Sequence, residues 1–568
     1  MRTDKIKYLY TALLAICCCT ASLKAQEIDP TVEVRRDYEA SLMNITKPKL
    51  ETLVNDSLYR FNLNFYYTTN SKPYKDLYEF SPIPFFEVSD VGSERLPIFF
   101  ADFGFSYPTN PYASIYFQPV SKNMKNNFIL YGSHDSEWKR LDGAVADLMD
   151  NQLGFALRHS WKKGELTFDA RYDGDYKTYY GFYDRTGLEN MALDSREFMS
   201  ENFASYRNGA SALLDVRSSH TDETSFDYDF LLKYRFTDII PEIIGYNGLR
   251  SHDFAFSGFV GPTFARRHKI QIGFNSETSL YGNGCIYGLA EVKPTYKLNL
   301  KRWRFDLGLK VSIPYSGKQE ESERLGGKRQ IVFPDVHISV QAIRKAMLIY
   351  TEVTGGDRLN SISALTRQIR WIHPQYDVPS ISTETVKAAL GFKGSFKDRF
   401  WYNIYADYGI LNNQLAVVND ASIIALLDPV YQNYSYAGAG LELRYRNRFL
   451  EFGLDARYRY FHHYENLPLL ESPLKLGFHG EYTWRDRISA RIDMGYEHDR
   501  TAAYRKGNET VYGQLDGFFN LGIYVSYRFS PYATLYIQGD NITNSKQYEF
   551  WGYRKKGINF GLGMYIKF

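Results

Sequence analysis

The sequence predicts an all-β protein, a transmembrane antiparallel β-barrel of about 22 strands. Three observations predict it: an export segment at the start, repeated two-residue alternation, and no long uncharged apolar run after residue 25. A membrane helix needs roughly 20 apolar residues, so anything that crosses a bilayer here is strand. Strands in hydrocarbon must close into a barrel, because an open edge leaves backbone N–H and C=O groups without partners.

The export segment is residues 1–25. Arg2, Lys5 and Lys7 precede an apolar stretch from Tyr8 to Ser22, and Leu23-Lys24-Ala25 places a small residue at the cleavage point. This is the pattern of a signal peptide cut near Ala25. Cleavage removes Cys17, Cys18 and Cys19 and leaves Cys285, so no intramolecular disulfide supports the mature chain. Removing Arg2, Lys5, Lys7 and Lys24 together with Asp4 leaves 64 basic and 64 acidic residues, a balance that gives no electrostatic case for nucleic acid.

Mean hydropathy is −0.40, that of a soluble protein, yet 17% of residues are aromatic, with 48 Tyr and 39 Phe. Alternating strands between two aromatic girdles reconcile the two values, since each strand shows apolar residues to lipid and polar ones to the lumen. At the C-terminus Ile558, Phe560, Leu562, Met564, Ile566 and Phe568 fall on one face; Asn559, Gly561, Gly563, Tyr565 and Lys567 fall on the other. In 449–460, Leu450, Phe452, Leu454, Tyr458 and Tyr460 alternate with Glu451, Asp455, Arg457 and Arg459. Residues 302–313 and 224–236 repeat the pattern, with Arg304, Asp306, Lys310, Asp227, Asp229, Lys233 and Arg235 inward. A soluble sandwich also alternates, but more than ten such strands after a signal peptide favour the membrane.

Short and long connections alternate as well. Tight reversals fall near Lys162-Lys163, Phe264-Ala265-Arg266, Leu300-Lys301, Arg344, Lys397-Asp398, Asn447-Arg448, Asp486-Arg487 and Ser530-Pro531. Longer polar connections are expected at 177–200, 237–249, 315–329, 357–381, 412–428 and 501–514. The last strand of such a barrel ends in the periplasm, so the tight turns are periplasmic and the long loops face outside. Upward strands are expected to start near 97, 127, 164, 224, 267, 302, 345, 399, 449, 488 and 532. Downward strands are expected near 112, 151, 201, 250, 286, 330, 382, 429, 472, 515 and 556. The barrel proper is then 97–568; counts of 18 or 20 follow if the weak first strands fail.

The segment Leu515 to Phe568 carries Tyr527-Arg528-Phe529-Ser530-Pro531, then Gly539-Asp540-Asn541-Ile542-Thr543-Asn544, Tyr548, and Gly561-Leu562-Gly563 before the terminal Phe568. It resembles the closing strands of TonB-dependent receptors. Asp540, Asn541, Thr543 and Asn544 correspond to that family's hallmark near the last outer loop, and Phe568 resembles the signal read by outer-membrane insertion machinery. The resemblance covers about a tenth of the chain and implies a 22-stranded barrel, outer-membrane location and transport. Asp and Asn also suit the sharp exit of a strand into a loop, where they bond their own backbone. The chain departs from the family ahead of the barrel. Residues 26–96 are too few for a plug and lack a Gly- and Val-rich pattern. They are read as a periplasmic or lumen-packed segment, with Thr31 to Val34 as a strand able to augment a partner sheet.

In the loops, Glu137, Trp138, Leu141, Val145, Leu148 and Met149 of 134–150 are spaced for a short amphipathic helix. Leu359, Ile362, Leu365, Ile369, Trp371 and Ile372 in 357–381 read as a surface for a lipoprotein partner. Neither a phosphate-binding glycine loop nor a zinc-type His-Glu-x-x-His occurs, so no enzymatic activity and no cofactor are expected. His462-His463 with Tyr464 and Glu465 is the nearest approach to a metal cluster, but adjacent strand residues face opposite ways. Glu442, Arg444, Arg446, Glu451, Asp455, Arg457 and Arg459 form an inward charge ladder that either lines a polar solute path or pairs internally. Two functions remain open. One is transport or solute binding across the outer membrane. The other is a sealed barrel that scaffolds surface lipoproteins or an assembly or secretion complex. Lipid and the insertion machinery are partners in both.

Overall fold

The computed structural model describes residues 98–568 apart from 120–124, 185–187, 189–190, 220–224, 244, 265–266, 318–330, 345, 373–379, 463–467 and 508. The expected segments 1–25 and 26–96, Thr31 to Val34 within them, lie outside the described residues. Twenty-two strands form one antiparallel sheet. In chain order they are β1 (Phe99–Tyr107), β2 (Asn110–Phe117), β3 (Asn126–Glu137), β4 (Leu148–Trp161), β5 (Gly164–Thr178), β6 (Ala204–Ser218), β7 (Ser225–Glu242), β8 (Leu249–Phe264), β9 (His268–Tyr281), β10 (Ile286–Asn299) and β11 (Trp303–Ser316). There follow β12 (Val332–Ile343), β13 (Met347–Asn360), β14 (Ser380–Phe396), β15 (Phe400–Asn419), β16 (Leu427–Arg446), β17 (Leu450–His462), β18 (Leu474–Trp484), β19 (Ile488–Glu497), β20 (Phe518–Arg528), β21 (Ala533–Asp540) and β22 (Asn559–Lys567).

Each strand pairs with its neighbours along the chain, and β22 pairs with β1 from Phe100↔Lys567 to Tyr107↔Phe560, so the sheet closes without an edge. All 22 strands begin within three residues of their expected starts. No described helix is long and apolar enough to cross a membrane; the strands do the crossing. Alternation explains the agreement. Phe226, Leu232, Leu307, Leu309, Ile313, Tyr458, Tyr460 and Phe560 are exposed on the outer face, whereas Asp306 on the inner face is buried. Ile537 and its directly paired neighbour Leu562 are 62% and 66% exposed. Side chains that bare carry a cost of about 1.5–3 kcal/mol each in water, which lipid removes.

Both ends of the strands carry local signals. At the turn end, exposed Trp161, Trp303, Phe396, Phe449, Trp484, Phe529, Tyr532 and Phe568 lie beside the tight turns and form an aromatic girdle. Lys397-Asp398 and Arg485-Asp486 have positive φ at both central positions (53° and 53°, 51° and 53°), the two-residue turn whose twist matches the flanking strands. Inside, tyrosine rings cover glycines on the adjacent strand. A Cβ at Gly104, Gly154, Gly391, Gly440 or Gly563 would overlap the ring of Tyr112, Tyr131, Tyr350, Tyr405 or Tyr536. Each is the direct cross-strand partner. These pairs use part of the large Tyr content to fill the lumen face and fix register.

Three loop expectations are corrected. Residues 134–150 are not helical: β3 runs on to Glu137, and Arg140–Leu141 pairs with Ala144–Val145 around Asp142-Gly143, with φ of 48° and 77°. Asp-Gly is a strong hairpin signal, and it overrides the helical spacing of the apolar residues. The connections expected at 237–249 and 412–428 shrink to 243–248 and 420–426, because β7 reaches Glu242 and β15 reaches Asn419. Above a register shift between Leu411 and Gln414, residues Leu415 to Asn419 are buried on both faces, so the alternation that marks strands is lost there. The connection at 501–514 is a β-ribbon of Arg500–Lys506 with Glu509–Leu515.

In vesicles of lipids brominated near the headgroup, single-tryptophan variants retaining Trp161, Trp303 or Trp484 are expected to be strongly quenched. A variant retaining Trp371, which is buried, is expected to be unaffected. Equal quenching of all four would contradict the placement of the bilayer.

Candidate functional site

At the loop end, connections from around the barrel meet in an apolar cap. Ala144, Val145, Tyr179, Tyr180, Phe182, Met199, Ile243, Leu365, Ile369, Trp371, Ile372, Leu426, Phe550 and Tyr553 form one buried cluster. Two short helices position it. In α1 (Arg196–Asn202), the Ser195 hydroxyl accepts from the Phe198 amide at 3.4 Å, and in α2 (Ile362–Gln368) Ser361 does the same for Ala364 at 3.4 Å. Both serines are N-caps, each satisfying an amide the helix leaves free. Trp371 is the hub. Its ring stacks on Tyr553 at 4.6 Å and meets the edge of Tyr180 at 5.0 Å, and its carbonyl accepts from Leu427 N at 3.1 Å. Tyr180 donates its hydroxyl to Arg554 O at 2.9 Å, and Tyr553 donates to Ala425 O. Four connections are thereby tied together.

The cap overturns one expectation. Leu359, Ile362, Leu365, Ile369, Trp371 and Ile372 are all buried, so they are not a docking surface for a lipoprotein. Loop hydrophobes look exposed in a sequence because their partners come from distant connections.

Beside the cap, inside the strand ends, lies a cavity of about 260 Å³. Its walls come from the loop ends of β3, β4, β19, β20 and β21, from α2 and its exit, and from the last connection. The lining is charged: Asp135, Glu137, Lys139, Asp150, Arg367, Arg370, Glu497, Asp540, Glu549, Lys555 and Lys556, with Tyr180, Trp371 and Phe518 as apolar surface. Glu137 pairs with Lys139 and with Lys556 at 2.7 Å, and Arg370 reaches Asp150 at 2.7 Å. Burial pulls the Lys139 ammonium below its ordinary value against the attraction of Glu137. Burial likewise pulls Lys555 down to about 8, with Glu549 and Glu497 opposing. Of the lining residues, Asp540 and Asn541 stood out in the sequence as part of the receptor-like motif, and Glu137, Leu148 and Trp371 as loop residues read for other roles; the rest did not. The Lys555-Lys556 run was the one local hint.

The receptor-like motif sits at one edge of the cavity. Asp540 ends β21, and its carboxylate accepts from Asn541 N at 2.8 Å and from Asn520 Nδ2 at 3.3 Å. Asn541 and Asn544 have φ of 46° and 52°. The Asn541 side-chain oxygen accepts from Ser545 N at 3.0 Å, Thr543 donates to Phe519 O at 3.0 Å, and Asn544 accepts from Ile558 N at 3.2 Å. The motif thus builds the strand-to-loop turn, and Asp540 and Asn541 also face the cavity.

The charge ladder lies on the other side of the sheet's sequence, on β16 and β17. Arg444 pairs with Asp455 at 2.9 Å and Arg446 with Glu451 at 3.3 Å. Arg457 and Arg459 instead reach Glu471 at 3.0 and 3.1 Å, and Arg459 also reaches Asp407 at 2.7 Å. Glu442 faces Asn403 and Asp455 across its two ladders. Burial alone would raise the Glu471 carboxyl, but Arg457 and Arg459 hold it below its ordinary value. Glu471, the acceptor that organises this set, lies in a connection with no sequence signal. Phe568 closes the seam: its amide donates to Phe99 O at 3.0 Å, Phe99 N returns a bond at 2.8 Å, and the rings stack at 5.0 Å. His462 is described, and its neighbours His463 to Glu465 lie outside the described residues. Among the described residues no group of three His, Cys, Asp or Glu is placed to hold a metal.

Fold and site together define a class: a closed 22-stranded transmembrane barrel with a capped loop end and a charged cavity beside the cap. No family model and no curated protein matches the chain. Solved structures do. The siderophore receptor PirA from Acinetobacter baumannii superposes with a TM-score of 0.62 at 10% identity, over 83% of this chain and 80% of that one. The FrpB iron transporter from Neisseria meningitidis gives 0.62 at 10% identity, over 83% and 81%. The pyoverdine outer membrane receptor FpvA from Pseudomonas aeruginosa gives 0.58 at 10%, over 83% and 78%. Likeness at this identity shows a shared barrel fold.

Lys555 yields a pH prediction. The folded chain loses this proton near pH 8, whereas an unfolded lysine keeps it to about 10.4, so the unfolded state binds more protons in between and stability rises with pH there. In detergent, the wild-type unfolding temperature is expected to rise relative to Lys555→Met between pH 8 and 10. A pH-independent difference would contradict the assigned burial.

Proposed function

We propose that this chain is an outer-membrane barrel of the TonB-dependent receptor type that binds a small solute beside its loop cap. The observation that carries the reading is the charged cavity of about 260 Å³ between the cap and the strand ends. A sealed scaffold needs no such space, and charged side chains are costly to bury unless paired or given a ligand. The barrel supplies one wall, the loops supply the other, and the solute lies between them, which is the usual placing of a small-molecule site.

Residues 1–25 direct export and are removed near Ala25, 26–96 form a periplasmic or lumen-packed segment, and Phe568 serves as the insertion signal. The known receptors of similar fold are described as siderophore receptors and iron transporters, which supports solute traffic as the class of activity without naming the solute. The scaffold reading rests on the cap itself, which would shut the mouth of either kind of protein.

Planar bilayers separate the two. Wild-type protein is expected to be quiet because the cap is closed. Trp371→Ala removes the hub of the cap, worth about 3–5 kcal/mol for a buried aromatic, and is expected to give discrete conductance steps. Steady wild-type channels would contradict the closed cap. A Trp371→Ala barrel as silent as the wild type would favour the sealed scaffold.

A further inference from the structure

The connections at the turn end carry a one-sided charge. Ten of them join successive strands, at 118–125, 162–163, 219–224, 265–267, 300–302, 344–346, 397–399, 447–449, 485–487 and 529–532. Together they hold fifteen Lys and Arg against four Asp and Glu. Twelve of those cations lie among the described residues, and all twelve are exposed. None of the twelve forms an ion pair with a described residue.

Carboxylates just inside the strand ends do not cancel this charge, because strand cations already hold them. Glu165 is held by Arg158 and Arg217, Asp306 by Arg304 at 2.9 Å, Glu451 by Arg446 at 3.3 Å and Asp227 by Lys269 at 3.0 Å. At the opposite end the connections pair their charges. Arg554 meets Asp142 at 3.0 Å, Arg196 meets Asp147 at 2.8 Å, and Lys556 meets Glu137 at 2.7 Å. The turn end therefore wears a positive collar.

The direction of these side chains decides what they meet. Lys397 Nζ lies 5.4 Å from the ring centre of Phe396, the Arg448 guanidinium 5.4 Å from that of Phe449, and the Arg485 guanidinium 4.8 Å from that of Trp484. Phe396, Phe449 and Trp484 are exposed members of the aromatic girdle. A cation laid on a girdle ring sits at headgroup depth on the lipid side of the rim, with its stem against apolar surface and its charge in water. A soluble partner would be met by cations directed along the barrel axis, away from the bilayer. Anionic headgroups are the complement of this arrangement, since each Lys or Arg near a negative bilayer surface adds to the attraction.

We propose that the turn-end collar of Lys and Arg binds anionic phospholipid headgroups of the leaflet around it, and so selects the lipids that border the barrel. The inference needs the girdle to mark the bilayer surface and is independent of solute binding.

The girdle tryptophans report on it, because Trp161 precedes Lys162-Lys163, Trp303 follows Lys301-Arg302 and Trp484 precedes Arg485. Full-length single-tryptophan variants retaining each are reconstituted in phosphatidylcholine vesicles with a minor fraction of phosphatidylglycerol. Either the phosphatidylglycerol or an equal amount of the phosphatidylcholine is brominated near the headgroup. Brominated phosphatidylglycerol is expected to quench about twofold or more strongly at low salt, and the excess is expected to vanish at high salt. In the Trp484 variant, Lys397→Gln/Arg399→Gln/Arg448→Gln/Arg485→Gln/Arg487→Gln neutralises three adjacent turns and is expected to remove most of the excess. Lys506→Gln, on the ribbon at the opposite end, is expected to leave it unchanged. The heat-dependent gel shift shows that each variant folds, and Arg485→Gln/Arg487→Gln, expected to reduce the excess by itself, decides if the larger variant does not. Equal quenching by the two lipids, which is the result a collar serving a soluble acidic partner would give, would overturn the proposal. So would an excess that survives neutralisation of the turns.

Discussion

The structure depends on an unbroken circle of backbone hydrogen bonds. In hydrocarbon each unpaired amide or carbonyl costs several kcal/mol, so the sheet is stable there only if β22 finds β1. The Phe99–Phe568 bonds and the register from Phe100↔Lys567 to Tyr107↔Phe560 complete that circle. Once it is closed, every strand has a lipid face and a lumen face, and all other features follow from which side chain points where. The girdle beside the tight turns anchors one end of the strands at the bilayer surface. Tyr536 over Gly563 and Tyr112 over Gly104 pack the seam from inside, and a Tyr536 hydroxyl bond to Asp102 at 2.6 Å crosses it.

Closure leaves the protein with a wide interior to fill, and two kinds of chemistry divide it. Apolar residues are collected at the loop end, where Trp371, Tyr180 and Tyr553 join connections that are far apart in the chain. Charged residues line the strands and are mostly paired, as in Arg444 with Asp455 and Arg459 with Asp407. The cavity lies where the two meet. Its ionic set includes both fixed strand residues such as Glu137 and loop residues such as Lys556. Movement of the last connection would therefore change the charge balance of the cavity as well as its shape.

What the sequence disclosed follows the same division. Strand number, order and starts were legible because lipid imposes period two on the stretches of strand that face it, and because turns such as Lys397-Asp398 interrupt it sharply. The cap was not legible. Its hydrophobes lack periodicity, and the Leu359 to Ile372 set read as exposed because nothing local shows that Tyr553 and Leu427 cover it. Two local signals were present: Asp142-Gly143 for the hairpin and Ser361 for the cap of α2. The charged row on the lumen face needed register, since Arg171 and Arg235 are neighbours only through Ser211 on the strand between them. The ladder from Glu442 to Arg459 was visible as alternation, but its acceptor Glu471 was not.

The most direct measurement addresses closure itself. With Cys285 replaced by Ser, Ser106→Cys and Gly561→Cys place thiols on directly paired residues of β1 and β22. Mild oxidation of cells making this variant is expected to give a disulfide that changes mobility on denaturing gels and disappears with reductant. A pair shifted by two residues, Ser106→Cys with Gly563→Cys, is expected to form it far less. Failure of the matched pair to cross-link in membranes, or equal cross-linking by both pairs, would contradict a barrel closed in this register.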